Sequence, residues 1–429
     1  MTAPLLIIFA IGLIIGVPIA FVMGISTLGA FIIEGTLPLE VFAQRVFSGI
    51  DSFPMMTIPF FMLAADLMTG GNLTDLMLGF ANNLVGHIRG GLGHVNVLVS
   101  VFFAGISGSA LADAAGTGAI EMQMMHKAGY DKYYSASLTA ASAVIGPIIP
   151  PSILGIMYAL TDNRASVTGL FMAGVLPGLI LAGALMVVNH IISVRKGYRF
   201  HSQRPTFKAL VVSFIKAVPG MLMPLIILGG ILSGIFTATE ASAVAVAYAL
   251  LVGFFITRAL TLQKLYKIVV QSAIVSASVL AVVAMGSAFS WALTYAQVPQ
   301  QVAGWVTGLT DSKILVMLLI MGVTMITGMF VDTIPALIIL VPVLAPVGAQ
   351  FGVDPLHLGM TVILSLAVGM LTPPVAPLLF VVSSVGKLKF EKLCVAVLPL
   401  LFAELAVILL ITLVPQISTW LPHALGYAQ

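Results

Sequence analysis

Residues 146–152 read GPIIPPS, and residues 369–375 read GMLTPPV. Each segment interrupts an apolar stretch with a glycine and a Pro-Pro pair. Because proline lacks a backbone N–H donor and clashes with the preceding helical turn, neither segment can be continuous helix. Each follows a segment rich in small or polar residues, GISGSALADAAG at 105–116 and GMFVDTIPALII at 328–339. The sequence therefore predicts two interrupted elements in each half of the chain.

The two halves match each other at one constant offset along the chain. At this offset Gly105, Gly129, Asp131, Gly146 and Pro150-Pro151 fall on Gly328, Gly352, Asp354, Gly369 and Pro373-Pro374. Chance is the alternative, because a chain with 41 glycines and 23 prolines matches itself somewhere. The shared order and the equivalent surroundings favour an internal repeat.

The composition excludes a soluble protein. Of 429 residues 60% are hydrophobic and 8% are charged, with a net charge of +3, whereas soluble domains are about 25% charged. No basic patch for nucleic acid is present. The one cysteine, Cys394, excludes intramolecular disulfides and cysteine-cluster metal sites. What remains is a helical membrane protein in a lipid bilayer.

The two longest apolar stretches, 92–127 and 313–350, carry small, polar or proline residues at their midpoints. Arms of about 15 residues reach only ~22 Å, short of the ~30 Å hydrocarbon core. These stretches are therefore predicted to be re-entrant hairpins. The predicted fold is an all-α polytopic membrane protein with two inverted-topology repeats, each holding a re-entrant hairpin and a Pro-broken helix.

Basic residues predict the orientation, because cytoplasmic loops are enriched in lysine and arginine. The most polar connector carries Arg195, Lys196, Arg199, Arg204 and Lys208. Placing it in the cytoplasm puts the two hairpins on opposite faces of the membrane. The predicted organisation is a first repeat at 1–194 (hairpin 92–128, broken helix 135–160), a cytoplasmic connector at 195–215, and a second repeat at 216–429 (hairpin 313–350, broken helix 357–385).

Helix breaks inside a membrane suggest a binding site. Freed backbone groups cost several kcal/mol each in lipid, so the breaks must face protein or a water-filled cavity. Freed carbonyls with Ser and Thr hydroxyls suit a small cation such as Na⁺, and half-helix N-termini attract an anion. The alternative is a pair of proline kinks that only shape packing. The repetition at equivalent positions favours two cation sites with an anionic solute between them.

Three segments closely resemble the large membrane subunit of TRAP (tripartite ATP-independent periplasmic) transporters, the DctM/SiaM-like proteins. They are GGLGHVNVLVSVFFAGISGSALADAAGTGAIE at 90–121, SGIFTATEASAVAVAYAL at 233–250, and MFVDTIPALIILVPVLAP at 329–346 followed by TPPV at 372–375. The resemblance covers essentially the whole chain. It implies scaffold and transport domains working as an elevator, in which the hairpins and broken helices move together.

The resemblance also implies Na⁺-coupled uptake of an organic acid, sialic acid or a C4-dicarboxylate, across the bacterial inner membrane. It implies two protein partners, a small four-helix (Q-type) membrane subunit on a separate chain and a periplasmic substrate-binding (P-type) protein. At least two Na⁺ ions are expected for coupling, with no other cofactor. An enzyme is not expected.

The repeat suggests the ligands of two Na⁺ sites, contributed mainly through backbone carbonyls. For the first site the candidates are Gly105, Ser107, Gly146, Ile149 and Pro151. For the second they are Thr327, Gly328, Gly369, Thr372 and Pro374. Thr372 offers a hydroxyl where its counterpart Ile149 does not, so the two sites are expected to differ in strength.

Candidate substrate contacts lie near the same positions, at Ser109, Asp113, Ser152, Asp332 and Thr333. Asp332 is a functional candidate because an unpaired carboxylate in a membrane is costly. It could meet substrate hydroxyls, a further Na⁺ or a proton, or it could cap the helix that begins near Thr333. Asp113 could act in the same way or cap the return arm of its hairpin.

Other acidic residues are assigned to structure or left without a role. Thr237 and Glu240 fit a capping box, and Glu121 could pair with Lys127 near the membrane interface. Asp66 and Glu404 have no identifiable partner in the sequence.

Three other functions compete with a TRAP transporter. An intramembrane enzyme would need a nucleophile and base or a metal cluster, which the scattered histidines do not offer, and a closed midpoint site disfavours a channel. A stand-alone Na⁺/dicarboxylate symporter of similar inverted-repeat architecture, needing no binding protein, is the main alternative.

Overall fold

The computed structural model describes residues 1–35, 37–198 and 204–427, and within these ranges the chain forms helices and no strand. Eight of the described helices are long and apolar enough to cross a membrane. The prediction of an all-α, multi-pass membrane protein is therefore confirmed.

In chain order, the α-helices of the described residues are α1 (Thr2–Ile15), α2 (Ile19–Glu34), α3 (Leu39–Ile50), α4 (Thr57–Gly70), α5 (Leu73–Val85), α6 (Gly91–Ser107), α7 (Ala110–Ala115), α8 (Thr117–Lys127), α9 (Lys132–Ala143), α10 (Ile153–Thr161), α11 (Val167–Lys196), α12 (Phe207–Leu232), α13 (Ala238–Leu251), α14 (Leu262–Tyr295), α15 (Val298–Leu309), α16 (Lys313–Phe330), α17 (Thr333–Gln350), α18 (Pro355–Gly369), α19 (Pro377–Gly386), α20 (Phe390–Leu413) and α21 (Gln416–Ala424). A 3₁₀ turn, Phe53–Met56, precedes α4, and a π-helical turn, Val252–Ile256, follows α13.

The first hairpin stretch is not one helix. α6 ends at Gly108, which has a left-handed backbone with φ +60°. A Cβ at Gly108 would also lie 2.9 Å from the carbonyl oxygen of Pro151. Ser109 then begins α7 by accepting a hydrogen bond from the N–H of Ala112 at 3.4 Å. We call residues 108–109 tip 1.

The second hairpin stretch is interrupted in the same way. α16 ends at Phe330, Val331 is extended, and Asp332 caps α17. We call residues 331–332 tip 2. α16 and α17 pack against each other, as the arms of a hairpin do.

Both Pro-Pro segments interrupt helices. α9 ends at Ala143 and α10 starts at Ile153, and α18 ends at Gly369 and α19 starts at Pro377. We call residues 144–152 break 1 and residues 370–376 break 2. Each contains a cis X-Pro bond, at Pro150-Pro151 and at Pro373-Pro374.

The turns before the two broken helices have the same construction. Gly129 and Gly352 adopt positive φ angles of 87° and 63°. Asp131 accepts a hydrogen bond from the N–H of Tyr134 at 2.9 Å, and Asp354 accepts one from the N–H of Leu356 at 2.8 Å. The residues matched by the sequence offset therefore have the same structural role: they form the turns and N-terminal caps at which α9 and α18 begin.

The helices extend into the predicted connector at 195–215 from both sides. α11 continues to Lys196, and α12 begins at Phe207 because Thr206 accepts a hydrogen bond from the N–H of Ala209 at 3.3 Å. Lys208 thus lies in the first turn of α12. Arg199 lies outside the described residues. The predicted capping box of Thr237 and Glu240 is confirmed.

Two apolar cores lie next to the tips and breaks. α4, α5, α12 and α13 pack together around one apolar core that includes Phe61, Met77 and Met223. α9, α10, α18 and α20 line a second, larger core that surrounds both breaks. Both breaks and tip 2 therefore lie within the second core, whereas α6, which leads into tip 1, contacts both cores.

Candidate functional site

Tip 1 is organised around a buried carboxylate. Asp113 is 1% exposed, and the hydroxyl of Ser107 donates to its Oδ1. The backbone N–H of Ser109 in turn donates to Ser107 Oγ at 3.3 Å. Of the two uses predicted for Asp113, capping the return arm is wrong, because Ser109 caps α7. The α7 turn instead points the carboxylate back toward Ser107.

Asp113 also lies against break 1. A Cβ at Gly146 would lie 2.5 Å from Asp113 Oδ2, so only glycine admits the carboxylate here. Among the described residues, Oδ2 has no hydrogen-bond partner. A free carboxylate oxygen is thus aimed at the backbone of break 1. Such an oxygen is a strong ligand for a hard cation.

Gly108 of tip 1 and Gly105, near the end of α6, lie close to the carbonyls of break 1. A Cβ at Gly105 would lie 3.6 Å from the carbonyl oxygen of Pro150, and Gly108 approaches the carbonyl of Pro151. The structure therefore brings together four of the five residues proposed for the first Na⁺ site, Gly105, Ser107, Gly146 and Pro151.

The remaining two candidates near break 1 serve packing and capping. Ile149 is half-buried, and its side chain packs over Gly178 of α11. Ser152 accepts from the N–H of Gly155 at 3.0 Å and donates to the carbonyl of Pro147. Both hydrogen-bonding functions of Ser152 are engaged within the chain, starting α10.

Two glycine candidates for the second Na⁺ site lie where α16 and α18 approach each other closely. A Cβ at Gly328 would lie 2.5 Å from the carbonyl oxygen of Leu366. A Cβ at Gly369 would lie 2.5 Å from the carbonyl oxygen of Met325 and 2.8 Å from Gly328 Cα. These two glycines lie face to face, and each is required for the contact.

A backbone hydrogen bond connects break 2 to α16, the helix that leads into tip 2. The N–H of Ala376 donates to the carbonyl of Met329 at 3.2 Å. Thr372, 9% exposed, donates to the carbonyl of Val368 at 2.8 Å. That bond uses the hydroxyl hydrogen and leaves oxygen lone pairs free for a cation. Thr327 is half-buried and bonds back to Val323 at 2.9 Å, while Pro374 is exposed.

Asp332 caps α17, which was one of the uses predicted for it. Its Oδ1 accepts from the N–H of Thr333 at 2.6 Å and from the Thr333 hydroxyl at 3.3 Å. The side chain of Asp332 is nonetheless exposed, while Thr333 is 7% exposed. Capping therefore engages one carboxylate oxygen and leaves the second accessible at tip 2.

An ion pair beyond break 1 connects the two halves of the chain. Arg164 donates to both oxygens of Asp162, at 2.8 and 2.7 Å, and to the carbonyl of Ala345 in α17 at 2.8 Å. Hydrogen bonds to Asp162 raise the pKa of the Arg164 guanidinium. The loop after α10 is thus tied to the arm that starts at tip 2. The sequence analysis missed this contact, since nothing local predicts a partner in the other half.

A buried polar network between α6 and α9 was also missed. Asn96 donates to Thr139 Oγ1 at 2.8 Å, and Ser142 donates to Asn96 Oδ1 at 2.7 Å. Asn96 is fully buried. The signal in the sequence is an amide inside an apolar run, because such a group needs partners within the bundle.

The predicted pair of Glu121 and Lys127 is wrong. Glu121 is 2% exposed, and none of the ion pairs among the described residues contains it. The arm of α8 turns Glu121 into the protein, whereas Lys127 at its end is exposed.

The candidate ligand atoms at the tips and breaks are hard oxygen atoms. In the described ranges, no group of three or more His, Cys, Asp or Glu side chains could hold a metal ion. Carbonyls, hydroxyls and a carboxylate are what gather at the tips and breaks. This chemistry fits an alkali cation better than a transition metal.

Comparison with known proteins identifies the family. Residues 6–417 match the family model described as tripartite ATP-independent periplasmic transporter, DctM component. The large permease protein SiaM of a Vibrio cholerae sialic acid TRAP transporter is 40% identical over 96% of this chain and 97% of its own. The sialic acid permease SiaT of Haemophilus influenzae is 36% identical over 98% of this chain and 68% of its own. The C4-dicarboxylate permease DctM of Rhodobacter capsulatus is 33% identical, over 96% of each chain.

A solved structure shows the same fold at low sequence identity. The YdaH transporter of Alcanivorax borkumensis superposes with a TM-score of 0.65 and 14% identity, covering 90% of this chain and 89% of its own. The relatives are transporter permeases and not enzymes, as the sequence analysis expected. The chain belongs to the DctM family and is the large membrane permease component of a TRAP transporter.

Proposed function

We propose that this permease couples the uptake of an organic acid to Na⁺ entry, using two Na⁺ sites where each tip meets its break. The observation that carries the proposal is Asp113 Oδ2, a buried carboxylate oxygen without a partner in the described part of the chain, held against Gly146 of break 1. A cation bound there would neutralise a charge that is costly in a membrane.

The proposed ligands are oxygens of the tips, of the breaks and of the helix ends beside them. Around break 1 these are the Ser107 hydroxyl, the Asp113 carboxylate and the carbonyls of Gly105, Gly146, Ile149 and Pro151. Around break 2 they are the Thr372 hydroxyl and the carbonyls of Thr327, Gly328, Gly369 and Pro374. Only the first set includes a carboxylate, so we expect the first site to bind Na⁺ more tightly.

An acidic substrate would lie between the two sites. Bound Na⁺ and the N-terminal ends of α10 and α17 would supply positive charge for its carboxylate. Tip residues Ser109 and Asp332 are the accessible polar side chains, and we place them against substrate hydroxyls. Ser152 and Thr333 act by holding the helix starts in position.

We further propose that the permease works by an elevator mechanism between inverted repeats. The supporting observation is that tip 2 and both breaks lie in one packed group of helices, while α4, α5, α12 and α13 form another, with α6 in contact with both. The first group would move as the transport domain, and the second would remain as part of the scaffold. Opposite insertion of the hairpins is supported by the distribution of basic residues.

Sialic acid is the proposed substrate, and a C4-dicarboxylate is the alternative. The support is similarity to permeases named for sialic acid at 40% and 36% identity, against 33% for the one named for C4-dicarboxylate. We propose that a periplasmic binding protein delivers the substrate and that a small four-helix subunit completes the membrane complex in the inner membrane.

Tracer uptake into proteoliposomes tests this function. The vesicles would contain the chain with the small subunit of its own system, and its binding protein would be added outside with labelled sialic acid or labelled succinate. We expect sialic acid uptake that requires both an inward Na⁺ gradient and the binding protein. Equal uptake from a K⁺ gradient, or uptake of free substrate without the binding protein, would contradict the proposal; the second result would favour the stand-alone symporter.

Thr372→Val is expected to weaken the Na⁺ dependence of uptake. Valine keeps the shape of threonine but removes the hydroxyl oxygen proposed as a ligand, and we expect the Na⁺ concentration for half-maximal uptake to rise about tenfold, as for a lost interaction of about 1.4 kcal/mol.

The matched control is Thr361→Val. Thr361 lies on α18, the helix that leads into break 2, is fully buried and donates to the carbonyl of His357 at 3.0 Å. Thr361→Val therefore removes the same kind of hydrogen bond to the backbone without removing a proposed ligand. If both variants keep wild-type Na⁺ activation, Thr372 is not a ligand.

A further inference from the structure

Glu404 is the most anomalous polar side chain outside the site. It lies in the middle of α20 and is 0% exposed. In the part of the chain that the structure describes, neither carboxylate oxygen has a hydrogen-bond partner. A buried ionised carboxylate without a partner costs several kcal/mol or more. Some cation must therefore compensate it.

No basic side chain reaches Glu404 from the helices that pack on α20, which are α9, α11, α16, α18 and α19. Their titratable or charged residues lie at or near helix ends: Lys132, Tyr133 and Tyr134 on α9, His190, Arg195 and Lys196 on α11, Lys313 on α16, His357 on α18, and Lys387 just after α19. On α20 itself, Glu391, Lys392 and Cys394 lie in the first turns, with Lys392 about 18 Å from Glu404 along the axis. Among the described residues, Glu404 therefore has no counter-ion within reach.

A second buried polar group without a hydrogen-bond partner among the described residues, the hydroxyl of Ser365, lies at the same height as Glu404 along the packed helices. The ring of His357, near the start of α18, contacts the carbonyl of Thr412, near the end of α20, at 3.3 Å. These two packed helices therefore run antiparallel. Ser365 and Glu404 lie equally far from that contact along their helices, about 12 Å. Ser365 is fully buried, and its hydroxyl has no partner among the described residues.

The chemistry of this location selects a proton over a metal cation. An alkali or divalent cation needs several oxygen ligands, whereas the unpartnered side-chain oxygens identified here among the described residues belong to one carboxylate and one hydroxyl. A proton needs one carboxylate oxygen, and the resulting acid can share a hydrogen bond with a hydroxyl. We propose that Glu404 is a proton-binding site in the core around the breaks, occupied whenever α20 is packed as described. Any rearrangement that brings water to Glu404 then releases this proton.

Unfolding of the purified full chain in detergent, measured by denaturant between pH 5 and pH 8, tests the proposal. The folded chain keeps the proton on Glu404, whereas the unfolded chain loses it at pH values above the ordinary glutamate pKa of about 4.3. The stability of wild type relative to Glu404→Gln must therefore fall as pH rises. We expect the ratio of their unfolding equilibrium constants to change tenfold for each pH unit.

Glu391→Gln is the matched control, because Glu391 lies on the same helix and is exposed. The ratio of the unfolding equilibrium constants of wild type and Glu391→Gln is expected to stay constant across the same pH range. Infrared spectra provide a second measurement: the C=O band of a protonated carboxyl is expected to lose intensity in Glu404→Gln and to be retained in Glu391→Gln.

Three results would overturn the proposal. The first is a ratio of unfolding equilibrium constants, wild type to Glu404→Gln, that does not change with pH. The second is an infrared spectrum in which Glu404→Gln loses intensity in the bands of ionised carboxylates and not in the C=O band of protonated carboxyls. The third is a Glu404→Gln chain that does not fold, because the amide has the shape and neutrality of the acid and must be tolerated. None of these outcomes depends on Na⁺ coupling.

Discussion

Gly328→Ala is expected to reduce Na⁺-dependent uptake by at least tenfold. The added Cβ would lie 2.5 Å from the carbonyl oxygen of Leu366 and 3.2 Å from Gly369 Cα. Both neighbours are backbone atoms, so α16 and α18 must separate, at a cost of about 1–3 kcal/mol for overpacking. The separation would displace the carbonyls proposed to bind the second Na⁺. The measurement is initial uptake rate against Na⁺ concentration.

Gly322→Ala is the control for this experiment. Gly322 lies on the same helix, and a Cβ there would meet no atom within 4 Å. Alanine in an open helical position is neutral or stabilises by up to about 1 kcal/mol, so uptake is expected to be unchanged. Wild-type uptake in Gly328→Ala would show that close contact of α16 and α18 is not needed for transport.

Asp332→Asn is expected to lower uptake by at least tenfold while leaving the fold intact. Asparagine caps helices about as well as aspartate, so the start of α17 is preserved. What is removed is the negative charge at tip 2, where the side chain is exposed. The loss is to be measured as uptake rate, with thermal stability of the purified variant measured in parallel.

Asp354→Asn makes the same chemical change at a cap away from the tips. Asp354 accepts hydrogen bonds from the N–H groups of Leu356 and His357 at the start of α18, at 2.8 and 3.2 Å. Its variant is expected to transport normally. Normal uptake in Asp332→Asn as well would leave Asp332 with a capping role alone.

The sequence predicted those features that depend on local chemistry. Pro-Pro pairs exclude helical hydrogen bonding wherever they occur, so the positions of breaks 1 and 2 follow directly from residues 150–151 and 373–374. The caps at Asp332 and Thr237 are local for the same reason. Each is decided by residues within one helical turn.

Contacts between distant segments could not be predicted in this way. Asp113 was expected to bind substrate or cap its arm, but the α7 turn brings it to Ser107 and Gly146. Arg164 finds Ala345 of α17, and Glu121 turns inward, away from Lys127. These outcomes depend on how helices pack, and packing is not encoded within any single turn. The Pro-Pro pairs predicted where the two helices are interrupted, but not which carboxylate faces a break.

Equilibrium binding of radioactive Na⁺ to the purified chain tests the central claim most directly. The tips and breaks are proposed to be the cation sites, so we expect saturable binding of at least two Na⁺ ions per chain. Gly328→Ala is expected to remove one of them, while Gly322→Ala keeps both. Absence of saturable binding, or unchanged binding in Gly328→Ala, would contradict this account of the site.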